Sequence, residues 1–71
     1  MTDRTYGVTE IVGTSSESIA QAIRNGVSRA SRTVRNLDWF EATDIRGHIV
    51  AGEVEHFQVT MKVGFRIEDA E

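Results

Sequence analysis

The 71-residue chain contains no cysteine. That excludes a disulfide framework and thiolate zinc sites alike, and it fits a reducing compartment. It has no apolar run near the ~20 residues needed to span a bilayer. Its opening, "MTDRTYGVTE", lacks the charged and apolar regions of a secretory signal. A cytoplasmic location without membrane contact is therefore expected. Nor is there an excess of positive charge. Eight Lys and Arg against eleven Asp and Glu leave a formal charge of −3, which argues against a general nucleic-acid binder, normally basic overall. Internal repeats, low-complexity tracts and linkers are also missing, so residues 1–71 read as one domain. A domain this small buries only about 60% of the surface its unfolded chain exposes. With disulfides excluded, self-association is the remaining route to a stable core.

Aromatic residues are scarce, and the only tryptophan, Trp39, stands directly beside Phe40 in "NLDWFEATDIRGHIVAG". Neighbours on a strand point to opposite faces of the sheet. One of the two rings must then face away from the core unless a bulge intervenes. A chain this small seldom spares a large ring without a reason.

The elements follow from patterning. "TYGVTEIVG", residues 5–13, is rich in β-branched and aromatic residues and reads as a first strand. In "TSSESIAQAIRNGVSRASRTVRN", Ser18-x-x-Gln21 is a capping-box signature, with Thr14-x-x-Glu17 a competing start one turn earlier. Ile19, Ile23, Val27, Ala30 and Val34 then form a helical stripe about 100° wide, the mark of a helix packed on one side. Gly26 inside it costs up to ~1 kcal/mol relative to alanine and suggests a close approach to another backbone. Arg24, Arg29, Arg32 and Arg35 lie off the stripe. They form a solvated basic face, three of them toward the C-terminal end where the helix dipole favours cations, or else a phosphate-contacting patch.

The remainder reads as a hairpin, Leu37 to Val50 and Val54 to Ile67, around Ala51-Gly52. The second arm alternates cleanly. Phe57, Val59, Met61, Val63, Phe65 and Ile67 share the face expected under the helix, and His56, Gln58, Thr60, Lys62, Gly64 and Arg66 share the other. A two-residue loop would place Ile45 and Ile49 on the polar face. A three-residue loop with Gly52 in the left-handed conformation pairs Val50 with Val54, sets Arg46 opposite Gln58 and His48 opposite His56, and returns Ile45 to the core side. Because a one-residue slip flips every side chain, the second register is preferred. The fold class is α+β: β-α-β-β, a three-stranded antiparallel sheet in the order 1-3-2 with one helix on one face. The opposite face presents Arg46, Gln58, the two histidines and an aromatic ring to nothing the chain itself supplies.

With "VGTSSES" entering the helix, "RASRTVRNLDWFEATDIRGHI" leaving it and "HFQVTMKVGFR" in the last strand, the chain resembles the dodecins over nearly its whole length. These are small flavin-binding proteins that assemble as hollow twelve-subunit shells. The resemblance implies a homododecamer that stacks pairs of flavins, FMN or else riboflavin or FAD, between tryptophans at two-fold interfaces, storing or sequestering the flavin and quenching it. On that likeness Trp39 is the stacking platform, Gln58 meets the polar edge of the ring, and Arg46 lines the site. Arg29, Arg32 and Arg66 resemble positions that contact coenzyme A in some bacterial members. The turn "VAGE" departs from the Asn-Gly type that many relatives carry.

Each assignment has a plainer counterpart. Trp39 could be a core or interface residue, Gln58 an exposed strand residue, and Arg46 half of an ion pair. His48 and His56 are too few for a closed metal site, and no third ligand is evident. No metal is expected. The chain lacks a recognisable nucleophile–base pair and a Gly-rich phosphate loop, so it reads as a non-enzyme. An oligomeric interaction module, or a shell that binds coenzyme A with no flavin role, is the alternative.

Overall fold

The computed structural model describes residues 3–68. Strand β1 (Thr5–Ser15) leads to helix α1 (Ile19–Ala30), then to strands β2 (Leu37–Val50) and β3 (Glu53–Ile67). The sheet order is β1-β3-β2, antiparallel throughout, as the sequence pattern requires.

Ser18 caps the helix. Its side chain accepts from the Gln21 amide at 2.9 Å, so the later of the two candidate starts is used. The reciprocal half of the capping box is not made: the Gln21 carboxamide donates instead to Asn25 Oδ1. Ser15 closes the entry turn by accepting from the amides of Glu17 and Ser18.

The helix ends at Ala30, before the apolar stripe does. Val34 and two of the four arginines, Arg32 and Arg35, therefore lie in the turns that follow. In those turns the Ser31 and Thr33 hydroxyls donate to carbonyls three residues back, competing with helical propagation. Arg29 alone is basic in the last helical turn.

The core consists of Ala22, Val59, Met61 and Val63, with Ile11, Ile23, Val27 and Leu37 packed against it. Removing side chains such as Met61 and Val59 from water stabilises by about 1.5–3 kcal/mol each. The innermost line of the helix is Ala22 and Gly26 rather than the middle of the predicted stripe. A Cβ on Gly26 would stand 3.1 Å from Gly13 Cα, and one on Gly13 would collide with the Ala22 carbonyl. The two glycines thus let helix and strand backbones touch, the close approach that Gly26 suggested.

The hairpin corrects one expectation. Val50 pairs with Glu53 rather than Val54, leaving a two-residue turn with Ala51 at φ 52° and Gly52 at φ 80°. Both residues are in the left-handed region, as a type I′ turn demands. The preferred register nevertheless appears, with Ile45 opposite Val59, Arg46 opposite Gln58 and His48 opposite His56. An extra residue in β3, Glu55, restores it as a bulge between His48 and Ile49.

Helix α1 packs chiefly on β1 and β3, with Leu37 at the start of β2 joining the core they share. Every residue of β2 after Leu37 is exposed in the single chain, and the molecule is drawn out to 56 × 20 × 14 Å.

Candidate functional site

The sheet face opposite the helix is organised in rows that cross its strands. Val8, Gly64 and Trp39 form one row, followed by Glu10, Lys62 and Glu41, then Val12, Thr60 and Asp44, then Thr14, Gln58 and Arg46. His56 and His48 end the series.

Two bulges in β2 create this arrangement. Leu37 pairs with Phe65 and Trp39 with Gly64, so Asp38 is an extra residue. It lets Leu37 pack on the core while Trp39 emerges on the opposite face. Phe40 then lies on the helix side, beyond the helix, and is 48% exposed. Thr43 is the second extra residue, anchored by its hydroxyl to the Thr60 carbonyl at 3.2 Å. It keeps Ala42 and Ile45 on one face and puts Asp44 and Arg46 on the other.

Trp39 lies across β3. A Cβ on Gly64 would overlap its indole, so the space that glycine leaves is filled by the ring itself. On the far side Tyr6 of β1 meets the indole edge-on, with ring centroids 5.1 Å apart and planes inclined at 65°. Tyr6 and Gly64 fix the ring, and its outer surface remains accessible at 42% exposure. Tyr6 did not stand out in the sequence, because it lies more than thirty residues from Trp39 and only the β1–β3 register unites them.

Gln58 donates from Nε2 to His56 Nε2 at 3.1 Å. Arg46, opposite Gln58, holds Asp44 Oδ2 at 3.4 Å in an exposed pair. His48 and His56 stack with centroids 5.6 Å apart, and both lie within 4 Å of Glu55. No group of three or more potential metal ligands occurs among the described residues.

One spacing governs what the face can do. Trp39 sits at Gly64 and Arg46 at Gln58, six residues apart on β3, or about 20 Å at strand rise. The backbone positions that carry the indole and the carboxamide are thus far apart along one chain.

Arg29 and Arg32 come together. They line a groove of about 380 Å³ between α1 and β1, with Val12, Gly13, Thr14, Asn25, Gly26 and Ser28. Arg66 does not share that groove; it pairs with Tyr6 on the opposite face. No helix among the described residues is long and apolar enough to cross a membrane.

The chain has clear relatives. A family model described as Dodecin matches residues 5–68. A dodecin of Thermus thermophilus is 46% identical over 66 residues, covering 93% of this chain and 96% of that one. The solved dodecin from Streptomyces davaonensis is 57% identical with a TM-score of 0.92, covering 96% of this chain and all of its own. That from Streptomyces coelicolor is 56% identical with a TM-score of 0.91, covering 99% of this chain and all of its own.

Proposed function

This chain belongs to the dodecin family, and from that premise we propose that it is a non-catalytic flavin-binding protein. It stores or sequesters flavin, with FMN the expected occupant, at seams between copies of itself in a hollow twelve-subunit shell. The single observation that carries the reading is the indole of Trp39, propped by Gly64 and Tyr6 with its outer surface bare. A flat guest stacks on such a ring, and a carboxamide such as that of Gln58 supplies an edge-on donor and acceptor together. The separation of Trp39 from Gln58 along β3 supports a seam, where a second chain can bring its own carboxamide toward a guest on the first chain's indole. Arg46 adds positive charge suited to an anionic flavin or its phosphate. A ring enclosed by two indoles and a second flavin offers no face to a substrate, which favours storage over catalysis.

Titration of FMN with the purified protein tests this. Saturable quenching of flavin fluorescence is expected, by electron transfer from the stacked indole. Trp39→Ala should weaken binding at least about tenfold, the scale of lost aromatic stacking. Unchanged affinity in that variant would refute the assignment.

The groove holding Arg29 and Arg32 favours a second, independent ligand, a coenzyme A or another phosphate-bearing molecule, since paired guanidinium forks suit phosphate oxygens. Its binding should survive Trp39→Ala and fail in an Arg29→Ala/Arg32→Ala double variant.

A further inference from the structure

The flavin reading leaves His56 unused, yet it is the one side chain hydrogen-bonded to Gln58 among the described residues. Its ring contacts fix its tautomer. Gln58 Nε2 can only donate, so the neutral ring leaves its own Nε2 bare and carries its hydrogen on Nδ1, 3.4 Å from Glu55 Oε1. In the neutral ring Nε2 is then the acceptor, and it takes one N–H of the Gln58 carboxamide at 3.1 Å. One N–H and the carbonyl oxygen of Gln58 remain for an outside partner. The polar edge of an isoalloxazine presents one N–H between two carbonyl oxygens, the complement of that pair.

A proton on Nε2 reverses this. Both ring nitrogens then donate, and the carboxamide must turn its oxygen toward His56, leaving N–H donors outward. His48 stacks on the ring at 5.6 Å and lies 3.9 Å from Glu55, and on β2 Arg46, paired with Asp44, stands opposite Gln58. From β1, only the non-titrating Thr14 lies beside Gln58. Resting on the flavin reading, we propose that His56 is a positioning residue whose protonation selects which end of the Gln58 carboxamide meets the ring. Flavin is held by the neutral imidazole and loosened when the imidazole gains a proton.

The test is a riboflavin titration of the assembled protein between about pH 8 and about pH 5, the interval in which imidazoles ordinarily titrate. Riboflavin is the probe because the phosphate of FMN changes charge over the same interval. Wild-type affinity should fall at least about fivefold on acidification. His56→Gln, whose neutral carboxamide serves either end of Gln58, should give a flat profile. His48→Phe, which leaves the His56–Gln58 bond intact, should keep the slope. A flat wild-type profile, or an equal slope in His56→Gln, overturns the inference while the flavin site stands. Absence of saturable binding at about pH 8 instead overturns the flavin reading itself.

A second measurement uses the unaltered protein. Wild type should prefer riboflavin over its N3-methyl analogue at about pH 8 and lose that preference at about pH 5. An equal preference at both contradicts the switch.

Discussion

At the scale of single residues, the central fact is that Trp39 owes its position to residues with little or nothing to pack. Gly64 supplies the floor beneath the indole, and the extra residue Asp38 turns the strand so that the ring emerges on the open face. Gly64→Ala tests the floor. The added methyl has no room without lifting the ring, and such crowding costs about 1–3 kcal/mol. The expected outcome is roughly a tenfold or greater loss of FMN affinity with the shell still assembled, measured by fluorescence titration and light scattering. That one ring of the Trp39–Phe40 pair faces away from the core was legible in the sequence, because neighbours on a strand point to opposite faces. That it is Trp39 depends on the Asp38 bulge, which no pattern announced. The Tyr6 brace and the His56–Gln58 bond were not legible either. Both depend on which residues a register brings side by side, and neither residue type announces a role.

At the scale of elements, β3 was the most readable part of the chain. Of the six residues its alternation put under the helix, the middle three, Val59, Met61 and Val63, are fully buried, while Phe57 and Phe65 are half-buried and Ile67 at the strand end is exposed. The register of β2 against β3 followed from keeping Ile45 on the same face as Val59, where it sits although the helix leaves it uncovered. Its cause was not visible, since a one-residue bulge at Glu55 and a three-residue loop give the same pairing beyond the turn. The helix stripe ran past the true end because Val34 is in phase, while the serine and threonine hydroxyls that break the helix leave periodicity untouched.

The two-residue turn makes a prediction of its own. Ala51 has a Cβ and sits at φ 52°, a conformation unfavourable for most L-residues. Ala51→Gly should relieve that strain and stabilise the protein by about 0.5–1 kcal/mol, net of the entropy glycine adds to the unfolded chain. The readout is the midpoint of chemical denaturation. An unchanged or lower midpoint would show that the turn is not limiting.

At the scale of the whole molecule, the single chain looks unfinished. Phe40, Ile45 and Ile49 lie exposed on the hairpin where the helix does not reach, and Val8 and Val12 are exposed on the other face. A 71-residue chain that leaves so many large apolar groups in water gains stability by covering them with copies of itself. Ile45→Asp, which sets a carboxylate on that surface, should lower the particle mass, and FMN binding should fall with it, because Trp39 and Gln58 of one chain stand about 20 Å apart. An Ile45→Asp protein that stays small yet binds FMN with full affinity would separate the two properties.

The most direct measurement is size-exclusion chromatography with light scattering and simultaneous absorbance, on protein saturated with FMN. The expected result is flavin co-eluting at about one molecule per chain with a particle of about 95 kDa, twelve times the 7.9 kDa of one subunit. Flavin travelling with a single subunit, or a large particle that emerges colourless after saturation, would contradict a guest stacked on Trp39 at a seam between chains.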